Sequence, residues 1–143
     1  DYDLCFKLYQ QNVPVIGLDE TLHYWRDYPH RTSRTDSNYA DNRFLELKVH
    51  YFLACDYVAN KELVIWGAGK KGKRISQLLQ ASKISFRWIT NNESKLKVPI
   101  YGVQLESEAI LQELDNCQII FAIAQKGHDS IKAEQKHQVF KFC

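Results

Sequence analysis

The chain has 143 residues, 45% hydrophobic and 25% charged, proportions that fit one ordinary domain or a small domain joined to part of another. Six Gly and three Pro exclude collagen-like or Pro-rich chemistry, and an aromatic content of 13% argues against a disordered tail. Nineteen Lys and Arg against 17 Asp and Glu give +2, too little for a nucleic-acid scaffold, so no nucleic-acid partner is expected.

The first elements are predominantly helical. Leu4, Leu8 and Tyr9 recur at helical spacing behind Asp1 and Asp3, whose negative charge suits a helix N-terminus. Val13 to Leu18 is a short apolar run containing Pro14, which limits it to an edge strand, and Thr21 to Arg26 continues extended. Tyr28 to Asp41 is polar and turn-prone. Phe44, Leu47, Tyr51, Phe52 and Cys55 then mark one face of a helix from about Ser37 to Tyr57. One such helix and two short strands cannot enclose a core, so this segment is expected to lean on further polypeptide.

Charge locates a boundary. Residues 1–60 hold six Lys and Arg against nine Asp and Glu; residues 61–143 hold thirteen against eight. The change falls at Val58-Ala59-Asn60-Lys61 and predicts two domains, 1–60 and 61–143.

Beyond it, strands and helices alternate. Glu62–Trp66 reads as a buried strand, followed by a glycine-rich turn and a helix to about Ser82 with Ile75, Leu78 and Leu79 on its apolar face. Ile84–Ile89 and Ile100–Val103 read as strands, Glu106–Leu114 as a helix, and Gln118–Ala124 as the strongest strand. A helix over about 129–137 and a strand Val139–Phe142 complete the run, with His128 and His137 expected at the surface. The alternation predicts an α/β fold: a Rossmann-like parallel sheet with flanking helices over residues 62–143, preceded by a mainly helical segment.

Gly67-x-Gly69-x-x-Gly72 lies after a strand and opens a helix, where a dinucleotide fingerprint belongs. Gly67 permits the tight turn, Gly69 lets backbone N–H groups approach a pyrophosphate, and Gly72 lets helix and strand meet closely. A P-loop would need a hydroxyl after Gly72-Lys73, and Arg74 stands there instead. An NAD site also wants an acid at the end of the second strand, to bond the ribose hydroxyls. Thr90 and Asn91 occupy that place and the first acid is Glu93, so NAD(P) lacks its charge-assisted contact. Two readings stay open: a nucleotide cradle using Gly67, Gly69, Lys70, Gly72, Thr90 and Asn91, or a turn kept for packing.

Residues 1–57 resemble the C-terminal end of the catalytic domain of family 2 glycosyltransferases, inverting enzymes of the GT-A fold. The resemblance rests on Asp1-Tyr2-Asp3-Leu4, Lys7-Leu8, Gly17-Leu18-Asp19-Glu20-Thr21-Leu22, Tyr24-Trp25-Arg26 and Arg31-Thr32-Ser33-Arg34. It implies that Asp1 is the acceptor-side base, falling on the Asp of a Glu-Asp-x-x-Leu motif. An inverting transfer needs such a carboxylate to take the acceptor hydroxyl's proton. The leaving nucleoside diphosphate needs cations, and His23, Arg26, His30, Arg31 and Arg34 gather five donors within twelve residues. A divalent metal is the usual helper, but Asp1-Tyr2-Asp3 opens a helical pattern and is rejected as the family's metal-binding Asp-x-Asp. That motif and the nucleotide-binding half are not in this sequence.

Residues 62–143 resemble the small N-terminal nucleotide-binding domain of bacterial sugar O-acyltransferases, through Val64-Ile65-Trp66-Gly67-Ala68-Gly69, Trp88-Ile89-Thr90-Asn91-Asn92 and Phe121-Ala122-Ile123-Ala124. There the domain tends to bind nucleotide-sugar rather than perform redox chemistry.

The reading is therefore the C-terminal fragment of a bacterial glycosyltransferase of polysaccharide or glycoconjugate synthesis, with a Rossmann-like accessory domain and no activity as a fragment. Its implied partners are a nucleotide-sugar and a glycan acceptor in the parent; the metal remains a matter for that parent, and homo-oligomerisation stays open. The absence of Met supports the expectation of a fragment. No apolar run reaches the roughly 20 residues of a transmembrane helix. Cys5, Cys55, Cys117 and Cys143 form no disulfide framework, which predicts reduced thiols in the cytoplasm, with membrane association open for the parent. The alternatives are a nucleotide- or NAD(P)-binding regulatory module and a structural assembly domain.

Overall fold

A computed structural model describes residues 2–36, 44–123, 134 and 136–142, and the chain divides into two units, Asp1–Cys55 and Asp56–Cys143. In the first unit, α1 (Tyr2–Gln10) has Asp3 in its first turn and Lys7 one turn later, paired at 2.6 Å. A single turn, α2 (Thr32–Thr35), and α3 (Phe44–Tyr51) follow, and α3 runs into a π-helical turn at Phe52–Asp56. Leu45, Val49 and Phe52, spaced i, i+4 and i+7, are buried together with Tyr51. Phe6 stacks on Tyr51 with ring centroids 4.9 Å apart, and the Tyr51 hydroxyl donates to Asp3 at 2.9 Å. Hydrogen bonds from Lys7 and Tyr51 hold the Asp3 carboxyl below its ordinary range, while bonding to that carboxylate raises the Tyr51 phenol.

Two readings of this segment change. Val13–Leu18 forms no strand and Thr21–Arg26 is irregular: no neighbouring strand among the described residues offers partners, and Pro14 has no N–H to give. Val15, Ile16, Leu18, Leu22, Tyr24 and Trp25 stand exposed instead. The helix expected from Ser37 is present from Phe44, residues 37–43 lying outside the described residues.

The second unit is a Rossmann-like α/β fold. Its strands β1 (Leu63–Trp66), β2 (Arg87–Thr90), β3 (Leu105–Ser107), β4 (Gln118–Phe121) and β5 (Gln138–Lys141) form one sheet in the order β3-β2-β1-β4-β5, parallel at every pairing. α4 (Lys70–Ala81) joins β1 to β2, α5 (Glu93–Leu96) follows β2, and a 3-10 turn (Glu108–Gln112) follows β3. The central strands β1 and β4 are buried along their whole length, as the continuous apolar runs of a parallel sheet covered on both faces require. One face joins Val64, Trp66, Ile89, Ile119 and Phe121 to Leu114 and Cys117. Alternation puts Ile65 and Trp88 on the other face, toward α4, which buries Ile75 and Leu79. The Trp88 indole donates to the Gly67 carbonyl at 3.0 Å, tying β2 to the turn that leads into α4.

Polar contacts hold the opposite end of the sheet. Gln118 is fully buried; its Nε2 donates to the Asp56 carbonyl at 2.7 Å and to Gln138 Oε1 at 3.0 Å, and its Oε1 accepts from the Val58 N–H at 2.8 Å. His137, expected at the surface, is buried immediately before β5. Its Nε2 lies 3.1 Å from the Leu111 carbonyl, which can only accept, so Nε2 carries the proton and Nδ1 is left as acceptor. The Cys117 thiol, 3.3 Å away, donates to that Nδ1, and burial pushes the thiol up so that it keeps its proton. The expected helix over 129–137 and His128 fall mostly outside the described residues.

The third strand is also displaced. Ile100 and Val103 form an antiparallel bridge across a turn with Tyr101 and Gly102 at positive φ, and the strand proper is Leu105–Ser107. Only Leu105 in it is buried, as its edge position allows. The helix expected at Glu106–Leu114 contracts to the 3-10 turn.

Arg87 of β2 fastens β3 by a two-point bond to Glu106: its Nε donates to Oε1 at 2.8 Å and a terminal nitrogen to Oε2, with Glu62 at 3.4 Å. This bond from Arg87 lowers the Glu106 pKa. A carboxylate depressed on folding stabilises fully above its unfolded value of about 4.3, and that contribution is lost as pH falls through the lower folded value. Urea melts of wild type and Glu106→Gln should therefore differ at pH 7 and converge toward pH 3. An equal gap at both pH values would rule out the ion pair as the cause.

Candidate functional site

β1 is where the strand order reverses, with β2 on one side and β4 on the other. In open α/β sheets ligands bind at the carboxyl ends of the strands around this switch point. The chain leaving β1 there is Gly67-Ala68-Gly69, and each glycine meets a different constraint. Gly67 has φ +119°, and a Cβ on it would come within 2.8 Å of Ile123 Cγ1 and 3.2 Å of the Ala122 carbonyl carbon. A Cβ on Gly72 would lie 1.9 Å from the Gly67 carbonyl oxygen, so α4 can meet the turn only because position 72 lacks a side chain. Gly69 has an ordinary extended conformation, and nothing stands within 4 Å of where its Cβ would be.

Gly69 is also the N-cap of α4, and no side chain caps the helix. The first turn contains no acid; Lys70, Lys71, Lys73 and Arg74 crowd it instead. Cations there oppose the helix dipole, whose positive end favours an anion. Lys70, Lys73 and Arg74 are exposed and Lys71 half-buried. A further cation comes from α5: Lys95 Nζ donates to the Ala68 carbonyl at 2.7 Å.

The end of β2, where an NAD site holds its ribose-binding acid, is turned to local use. Thr90 is buried and its hydroxyl accepts from the Asn92 N–H at 3.2 Å; Asn92 caps α5 by accepting from the Ser94 N–H at 3.1 Å. Asn91 is exposed beside them. The charge brought to the glycine turn from this side is thus the Lys95 ammonium rather than a carboxylate. On the other face of the sheet Glu108 accepts from the Trp66 indole at 3.1 Å, and Trp66 meets Phe121 edge-to-face.

No protein-family model, no curated protein and no solved structure matches the chain.

In the first unit the five donors proposed for a diphosphate lie on or beside irregular chain. Arg31 places its guanidinium carbon 4.2 Å above the Trp25 ring, and the His23 ring meets the same indole edge-on at 6.5 Å. Asp27 pairs with Arg34 at 2.5 Å and lies 3.9 Å from Arg31, so one carboxylate serves two guanidinium groups. Arg26 and His30 are exposed. Trp25, Arg31, Asp27 and Arg34 are therefore brought together, and His23 joins them at the ring edge. Asp1 lies outside the described residues. Among the described residues no three His, Cys, Asp or Glu side chains converge to hold a metal ion, and no helix is long and apolar enough to cross a membrane.

Asp27 was legible in the sequence as an acid among the candidate Arg residues, one and four residues from Arg26 and Arg31. Lys95 is what reading the sequence left out: it is 27 residues from Ala68 and reaches it only because β1 and β2 lie side by side.

Proposed function

We propose that the second unit binds the diphosphate of a nucleotide ligand over Gly69, as the accessory nucleotide-sugar site of a bacterial family 2 glycosyltransferase making polysaccharide or glycoconjugate. One observation carries this reading: an uncapped helix N-terminus at the switch point of a parallel sheet, open above Gly69 and crowded with Lys residues. An arrangement that sets cations against a helix dipole is unfavourable while empty and is relieved by an anion with several oxygens. The backbone N–H groups of the first turn supply the hydrogen bonds, Lys70 adds charge, and Thr90 and Asn91 stand at the ribose side.

The transferase part rests on the resemblance of residues 1–57. In that reading Asp1 takes the acceptor proton while His23, Arg26, His30, Arg31 and Arg34 attend the leaving diphosphate. Asp27 does not prevent this, because exposed pairs of this kind are worth only about 0–1 kcal/mol and can be exchanged for phosphate. The competing regulatory reading calls for NAD(P), and the absent strand-end acid counts against it.

Calorimetric titration of the 143-residue chain with UDP- and GDP-sugars, NAD and NADP tests the proposal, using wild type and Gly69→Val. Since space is open and the backbone ordinary at Gly69, the substitution should leave the fold intact, at a cost of about 1 kcal/mol for a poorer N-cap. Nucleotide-sugar binding should weaken tenfold or more, or about 1.4 kcal/mol, as the branched side chain blocks the approach. NAD binding tighter than that of every nucleotide-sugar would favour the regulatory module. Binding by none of them would leave a packing turn and a structural domain.

A further inference from the structure

We draw no further inference here: the strongest candidate, the exposed apolar and aromatic stretch from Val13 to Tyr28 between α1 and α2, carries nothing because nothing in the structure shows what covers it.

Discussion

Replacing Gly72 with Ala should destabilise the second unit by about 3 kcal/mol or more, at the upper end of what overpacking costs. The added methyl would sit 1.9 Å from the Gly67 carbonyl oxygen and 2.9 Å from its carbon, and both are backbone atoms that no rotamer change can move. Relief requires α4 to lift from β1. That motion would strain the Trp88 indole bond to the same carbonyl and loosen Ile75 and Leu79, both fully buried. Small domains hold only about 5–15 kcal/mol in total, so a large part of the stability goes with one methyl group. Urea unfolding followed by far-ultraviolet circular dichroism measures the loss. A midpoint within error of wild type would mean that helix and strand are not locked together as described. Gly69→Val, three residues away, is the matched control: more bulk is added and the fold is kept.

The second large effect is expected from Gln118→Leu, which preserves approximate volume and removes every polar contact of a buried side chain. The Asp56 carbonyl, the Val58 N–H and Gln138 Oε1 each lose a partner. Unpaired buried groups cost about 1–3 kcal/mol apiece, and because these partners are only partly buried, about 2–4 kcal/mol is expected for the set. Gln118→Glu separates the contributions. A fully buried carboxylate there can still accept from Val58 but would face the Asp56 carbonyl and Gln138 Oε1 with no proton to donate. At pH 7 this variant should therefore be at least as destabilised as Leu in the same urea experiment, and it should recover as acid protonates it. If both variants unfold at the wild-type midpoint, the amide does not fasten the chain ahead of β1 to the sheet.

How legible these features were depended on the range over which their causes act. The glycine spacing and the apolar runs at Leu63–Trp66 and Gln118–Phe121 are local patterns, and they yielded the parallel sheet of residues 62–143. The third strand went astray because burial and strand formation separate there: Ile100 and Val103 are more apolar, yet Tyr101 and Gly102 carry the positive φ of a turn. Leu105-Glu106-Ser107 looks too polar for a strand until Arg87 is found bonded to Glu106 from the neighbouring one. In the first segment, Val13–Leu18 had the composition of a strand but, among the described residues, no partner to pair with. At the candidate site the glycines could be placed from sequence. The Lys95 contact and the Thr90–Asn92 turn could not, because they depend on the β1–β2 register and on local cap geometry.

The strand order also bears on how the second unit assembles in time. β1 reaches β2 across one short helical crossover, pairing Val64 with Arg87, whereas its other neighbour contributes Gln118 opposite Leu63. Closing about 55 residues instead of about 23 adds roughly 0.8 kcal/mol of chain entropy, by the logarithmic dependence on loop length. This comes before any stabilising contact forms. Two strands of the glycine turn's surroundings can thus meet early, but Ala122 and Ile123, against which Gly67 is fitted, belong to the late arrival. The fit of Gly67 against Ala122 and Ile123 is therefore completed only when β4 docks, at the longest sequence separation of the sheet's pairings, while α4 can already rest through Gly72 on a turn held by β1 and β2.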